Sequence, residues 1–220
     1  MSENRKFSVL MSVYIKENPT FLEEAVESIL HQTLKPSEVV IVEDGPLTPE
    51  LYQVLEKLEA QSSIPIKRCP LEQNRGLGLA LQYGVLQCQY DVISRMDTDD
   101  IAVEDRFEQQ FDLMEKEKLD LLGGHIAEFI DQPDEIVSYR RVPIKHEEII
   151  AYQRMRSAFN HMTVMFKKEM VLKAGNYEDG LYMEDDLLWL NMISAGARTG
   201  NVDQILCKVR VGAGMFERRG

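Results

Sequence analysis

The segment Ser94-Arg95-Met96-Asp97-Thr98-Asp99-Asp100 places three carboxylates within four positions, directly behind an apolar run. On an extended backbone alternate residues point the same way, so Asp97 and Asp99 are expected to face one side. Carboxylates held this close repel one another unless a cation neutralises them. Mg²⁺ or Mn²⁺, sharing oxygen ligands with waters and substrate phosphates, suits such a set. The same residues would also serve as a solvated turn capping the next helix. A second acidic group, Glu184-Asp185-Asp186, precedes Leu187-Leu-Trp-Leu190. The helix dipole alone favours acids there; the chemical alternative is a general base held ionised near a reacting hydroxyl. Asp44 follows Glu38-Val-Val-Ile-Val-Glu43 and can either open an Asp-Gly-Pro turn or accept hydrogen bonds from a ribose or base. Ser12 and Tyr14 close the first apolar run. His161 stands alone before Thr163–Phe166, a setting in which a histidine is usually structural; His125 and His146 show no partner, and His31 falls at a helix end. Gly76-Leu77-Gly78 lacks the third glycine of a dinucleotide fingerprint and follows the wrong strand, so Gly76 reads as a turn residue beside Asn74 and Arg75.

The elements that must carry these residues alternate through the first hundred positions. Phe7-Ser-Val-Leu-Met-Ser-Val-Tyr14 has strand length, and Pro19 opens a helix with Leu22, Ala25, Val26, Ile29 and Leu30 on one face. Glu38–Glu43 reads as a continuously buried strand, and Thr48-Pro49-Glu50 starts a second helix through Leu51, Val54, Leu55 and Leu58. Ile64–Cys69 and Tyr90–Arg95 are strands with a helix over Asn74–Leu86 between them. This rhythm predicts βαβ units and a mostly parallel sheet covered on both faces. Ligands gather at the carboxyl ends of strands in such sheets, where Ser12 and Tyr14, Glu43-Asp44, and Asp97–Asp100 all fall. Past Asp100 the spacing predicts a helix over Val103–Lys118, a hairpin of Leu119–Ile130 and Ile136–Val142, and a helix over His146–Met155. A strand at Thr163–Phe166, a helix over Leu187–Ala195 and strand-like Val202–Val211 complete it. A single domain over 1–220 is expected, with a nucleotide-binding half to about residue 102 and an acceptor-side half after it.

Composition narrows the classes. With 25 basic and 37 acidic residues the chain carries a formal charge of −12, which argues against a nucleic-acid partner. A bound divalent cation would still let it hold an anionic ligand. No apolar run reaches the ~18 residues of a membrane span, and Phe7–Ile15 has no small-residue cleavage site. Three scattered cysteines, Cys69, Cys88 and Cys207, suit a cytoplasmic protein and give neither a zinc site nor a disulfide framework.

In their order these segments resemble the family 2 glycosyltransferases of the GT-A fold. The resemblance rests on Phe7–Tyr14, Ser28-Ile-Leu-His-Gln-Thr33, Glu38–Gly45, Asn74-Arg-Gly76 with Ala80 and Gly84, Asp97–Asp100, and Glu184-Asp185 with Leu188-Trp189. It is nearest the branch that builds bacterial capsule, exopolysaccharide and O-antigen units. The resemblance implies a GT-A α/β fold, Rossmann-like, with a small antiparallel extension on the acceptor side. It implies that Ser12, Tyr14 and Asp44 embrace the uracil and ribose of a UDP-sugar, with Asn74, Arg75 and Asp97 on the same nucleotide side. Asp99 and Asp100 would hold Mn²⁺ or Mg²⁺ on the diphosphate, Asp185 would be the catalytic base, and Glu184 would support the acceptor site or orient that base. The acceptor would be a saccharide or a lipid-linked saccharide, which allows peripheral membrane contact. This sequence departs from the pattern at Glu43, where the family often has aspartate, and at Pro46-Leu47-Thr48 in place of Ser-Thr-Asp. The basic stretch from Arg210 to Arg219 is a candidate to reach the diphosphate, or marks where a longer natural tail would begin.

Rival readings fit less well. A sugar nucleotidyltransferase would place a Gly-rich, basic loop after the first strand, where Ser12-Val-Tyr-Ile-Lys16 stands. A phosphatase of the Asp-x-Asp-x-Thr type would need Thr or Val where Ile101 stands, with its nucleophile on the first strand. A non-catalytic nucleotide-sugar-binding module would have no need of both acidic groups.

Overall fold

The computed structural model describes residues 5–179 and 183–212. The first four strands are β1 (Phe7–Val13), β2 (Glu38–Glu43), β3 (Ile66–Pro70) and β4 (Val92–Arg95). They pair in parallel in the order β3-β2-β1-β4. Helices α1 (Pro19–Leu30), α2 (Pro49–Gln61) and α3 (Leu77–Gln87) connect them. Asn18 caps α1 through Oδ1, which accepts the Thr20 and Phe21 amides, and Thr48 caps α2 by accepting the Leu51 amide; proline follows each cap. After β1 the chain builds outward to β2 and β3, then crosses back to β4 on the other side of β1. The carboxyl ends of β1 and β4 therefore flank a topological switch point, where a crevice opens.

The second half continues the same sheet. The two-residue strand β5 (Ile101–Ala102) leads into α4 (Arg106–Glu117), then β6 (Leu121–Phe129), β7 (Ile136–Arg140) and α5 (His146–Gln153). A single turn of 3₁₀ helix, His161–Thr163, leads into β8 (Met165–Lys167), followed by α6 (Lys168–Lys173), α7 (Glu184–Ser194) and β9 (Thr199–Arg210). Strand β8 pairs antiparallel with both β4 and β6, β6 pairs in parallel with β9, and β7 forms the expected hairpin with β6. The expected antiparallel extension is thus present and continuous with the parallel part in one sheet. Because β8 runs against β4, the turn entering β8 lies at the carboxyl end of β4.

Several boundaries differ from the sequence expectation. Helix α3 begins at Leu77, not Asn74, because residues 74–76 are drawn into a turn by Asp44. Helix α4 begins at Arg106, since residues 101–102 pair with β9. Helix α7 begins three residues early, at Glu184, so the acids form its first turn. Strand β8 starts at Met165, displaced by the 3₁₀ turn, and the short α6 had no clear periodic signal.

Helices cover both faces of the sheet. Val9, Met11, Val39 and Ile41 pack with Leu22, Leu51 and Phe107 of α1, α2 and α4 on one side. Leu10, Val40 and Val42 pack with Leu81 of α3 and Leu188 and Trp189 of α7 on the other. Gly84 lets α3 lie flat on the sheet. A Cβ there would stand 2.4 Å from Leu10 Cδ1 and 2.9 Å from Val42 Cγ2. Gly84→Ala is therefore expected to cost about 1–3 kcal/mol by overpacking, measured as a lower midpoint in urea at unchanged m-value. An unchanged midpoint would show that α3 does not press on the sheet as described.

Candidate active site

The crevice at the ends of β1 and β4 gathers most of the expected residues. Ser12 and Tyr14 leave β1 half-buried, and the Ser12 carbonyl accepts the Thr98 hydroxyl at 3.3 Å. Along Asp97-Thr98-Asp99-Asp100 burial alternates: Asp97 and Asp99 are partly exposed, while Thr98 and Asp100 turn inward. Thr98 also donates to Glu17 Oε2 at 2.8 Å, and Glu17 Oε1 accepts the Asn18 amide, tying the β1 loop to the acidic loop. Asp100 is anchored from the far edge of the sheet, where its Oδ1 accepts the Arg210 amide at 3.0 Å.

Carboxylate oxygens of Asp97, Asp99 and Asp100 lie within 4.8 Å of one another. Burial, and then the charges of Asp99 and Asp97, push the Asp100 carboxyl well above the usual carboxylate range. A hard divalent cation would relieve that repulsion, so the donor set fits Mg²⁺- or Mn²⁺-type chemistry. Asp97 is already compensated: its Oδ1 pairs with Arg95 Nη2 at 2.5 Å.

Arg95 was visible in the sequence only as a strand residue. It is 1% exposed, and its Nε and Nη1 have no hydrogen-bond partner among the described residues. Burial works against its charge, yet Asp97 and, farther off, Asp185 keep it protonated. Arg95 thus pairs with Asp97 directly, and its positive charge also acts on Asp185. Buried charges persist where such partners surround them.

Asp185 sits in the first turn of α7, 22% exposed at its side chain. Burial, then the charges of Asp186 and Glu184, raise its pKa to about 6, against the lowering effect of the Asp186 amide and Arg95. A carboxylate so tuned is ionised at neutral pH yet more basic than an exposed aspartate. Asp186 accepts from Gln153 of α5 at 2.8 Å. Gly78 allows the start of α3 to meet the start of α7: a Cβ there would lie 2.8 Å from the Glu178 carbonyl and 3.3 Å from Glu184 Cβ. His161, Glu184 and Asp185 form a second group of potential ligand atoms within 4.8 Å.

Asp44 is buried and works on the backbone. Its Oδ1 accepts the Arg75 amide at 2.7 Å and its Oδ2 the Gly76 amide at 3.0 Å. Asn74 closes the same turn, donating to the Asp44 carbonyl and accepting the Gly76 amide, while the Arg75 side chain is exposed. Gly45 is needed here: its φ is +84°, and a Cβ would fall 2.6 Å from the Asn74 amide nitrogen. Glu43, the departure from the family pattern, pairs with Arg68 at 2.5 Å. Arg210 does not turn toward the acidic loop. Its guanidinium pairs with Glu24 at 2.7 Å and lies over Phe21, and it contributes only its amide to Asp100. Residues 213–219 of that basic stretch lie outside the described residues.

The remaining histidines have structural partners: His125 meets Asp203, His146 meets Thr199, and His31 meets the Glu27 carbonyl. All three cysteines are buried and free. No helix among the described residues is long and apolar enough to cross a membrane.

The sequence profile described as Glycosyl transferase family 2 matches residues 8–179. An uncharacterized glycosyltransferase of Haemophilus influenzae is 48% identical over 97% of this chain and 79% of its own length. The UDP-Gal:alpha-D-GlcNAc-diphosphoundecaprenol beta-1,3-galactosyltransferase of Escherichia coli is 39% identical over 98% of this chain and 78% of its own. Among solved structures, a mannosyltransferase of Pyrobaculum calidifontis in complex with GDP-Man and Mn²⁺ superposes with a TM-score of 0.73 at 15% identity. That likeness, a likeness of fold, covers 97% of this chain and 60% of the solved one.

Proposed function

The chain belongs to glycosyl transferase family 2, enzymes that move a sugar from a nucleotide-sugar donor to an acceptor, and from that premise we propose a metal-dependent inverting transferase acting on a UDP-sugar. The observation that carries this reading is the grouping of the Asp97, Asp99 and Asp100 carboxylates behind β4, with His161, Glu184 and Asp185 forming a second such group at the start of α7. The donor lies along the ends of β1, β2 and β4, with Ser12, Tyr14 and Asp97 against the nucleoside. Asp44 acts there chiefly by shaping the turn that presents Asn74 and Arg75. Asp99 and Asp100 would hold the Mn²⁺ or Mg²⁺, which when bound would neutralise the charge growing on the departing diphosphate.

Ionised Asp185 takes the proton of an acceptor hydroxyl as the oxygen attacks the anomeric carbon from the face opposite the diphosphate, which inverts the centre. Because a carboxylate is a modest base, proton transfer comes late, when the hydroxyl has become acidic through bond formation. Holding the hydroxyl in line with the anomeric carbon supplies much of the rate. Glu184, beside the α3 terminus, orients the acceptor. The acceptor class is a saccharide or a lipid-linked saccharide of a bacterial surface polysaccharide, a reading supported by the name of the 39% identical relative. A lipid-linked acceptor places the enzyme at the inner membrane face.

Thermal shift with UDP, GDP, dTDP and CMP, each with and without Mn²⁺, tests the donor side. UDP is expected to stabilise the protein only when the cation is present. Stabilisation by a different nucleotide alone moves the donor class, and no response to any of them removes the nucleotide site.

A further inference from the structure

His161 is not assigned to the reaction by anything above, and its surroundings are more specific than packing requires. The 3₁₀ turn that carries it is pinned from both sides: Asn160 donates to the Gly124 carbonyl at 2.8 Å, and Thr163 donates to the Asn160 carbonyl at 2.7 Å. The imidazole lies against Tyr177, with ring centroids 5.6 Å apart, and edge-on to Trp189 at 5.8 Å. Nε2 meets the Tyr177 hydroxyl at 2.9 Å, and Nδ1 faces Asp185 Oδ2 at 3.9 Å. We propose that His161 is the positioning residue of the base: Tyr177 donates to Nε2, the ring proton is thereby placed on Nδ1, and Nδ1–H orients Asp185 through Oδ2 while Oδ1 remains for the acceptor proton. This rests on Asp185 being the base.

Two tautomers are available to a neutral imidazole, and the neighbours choose between them. With the proton on Nε2, the Nδ1 lone pair would point at the lone pairs of a carboxylate. With the proton on Nδ1, the same approach is attractive. Burial, with the field of Arg95, keeps His161 neutral, and burial keeps the Tyr177 phenol protonated, so a hydroxyl donor is present at neutral pH. The 3.9 Å separation is longer than a hydrogen bond, as catalytic contacts often are before substrate tightens them. The charged or titratable groups facing the pair are Glu184 and Asp186 on α7, Arg95 on β4 with Asp97 beyond it, and Tyr177.

The tautomer can be read without turnover. Long-range ¹H–¹⁵N spectra of imidazole-labelled protein resolve the four histidines, and His161 is assigned by its loss in His161→Asn. The expected result is an Nδ1–H tautomer that does not titrate near neutral pH and whose proton signal moves in Asp185→Asn. An Nε2–H tautomer, or a signal indifferent to Asp185→Asn, overturns the proposal. Kinetics then tests the consequence, with UDP-galactose and a short-chain GlcNAc-diphospholipid as probes. His161→Ala should lower kcat about 10–100-fold at unchanged KM for the donor. It should also move the acid limb of the pH profile up by about one pH unit, because a donor to the ionised carboxylate is lost. His161→Asn, whose amide N–H replaces Nδ1–H, should recover most of that loss. A purely structural histidine would lower the thermal midpoint and leave the limb in place. If Asp185→Asn keeps its turnover, the base assignment fails. If Asp185→Asn is inactive while His161→Ala matches the wild type, only the positioning role fails.

Discussion

Asp185→Asn should lower turnover by about 10²–10⁴-fold, the span that a positioned general base contributes, while UDP binding stays unchanged. The split follows from placement. Asp185 heads α7, whereas the proposed donor contacts lie in the acidic loop after β4 and in the turn at Asp44. Asparagine is nearly isosteric but accepts no proton. The wild-type enzyme should carry an acid limb near pH 6, where the Asp185 carboxyl titrates. Below that pH the base is protonated and the rate falls about tenfold per unit. The variant should lose the limb along with the rate. A second measurement separates catalysis from folding. A carboxyl whose folded pKa lies above its unfolded value costs stability once it is ionised, a cost that grows from acid toward neutral pH. Asp185→Asn should therefore raise the thermal midpoint at neutral pH by a few degrees. An inactive variant with a lowered midpoint would point to a damaged fold; a stabilised variant with full turnover would remove Asp185 from the chemistry.

Removal of divalent cations should be as severe. EDTA is expected to suppress transfer by about 10³-fold or more, since charge stabilisation at the leaving group is worth several kcal/mol; excess Mn²⁺ or Mg²⁺ should restore it. The basis is the crowding of Asp97, Asp99 and Asp100 within 4.8 Å, where burial and mutual repulsion already push the Asp100 carboxyl upward. Asp99→Ala should abolish cation-dependent UDP binding by calorimetry. Asp185→Asn should leave it intact, so the two acidic groups separate in one assay. Transfer that persists in EDTA would leave the acidic loop with the architectural role of capping and turn formation.

Much of the donor side was legible from local pattern. Glu38–Glu43 is a strand buried along its whole length, as an unbroken apolar run implies. Pro19 and Pro49 open their helices behind Asn18 and Thr48. The Asp97–Asp100 loop follows an apolar strand in a βα series, and that order alone puts it at a carboxyl edge. Asp44 shows how far such reading goes. Its position after β2 was evident, but its commitment to the Arg75 and Gly76 amides depends on a turn 31 residues away in sequence. Arg210, the first residue of the basic stretch offered as a candidate to reach the diphosphate, pairs with Glu24 and lies over Phe21, contacts that spacing does not encode.

The sequence by itself determined which residues could carry charge chemistry and on which local element each would ride, because helical and strand periods, caps and turns are set within a few residues of chain. Only the tertiary structure decided which of those elements share an edge. The crossing back from β3 to β4 beside β1, and the antiparallel entry of β8 against β4, bring His161 and α7 up to the acidic loop. Arg95 and His161 acquire their meaning there, since a buried guanidinium and a neutral imidazole are defined by the charges around them, and those charges come from distant parts of the chain.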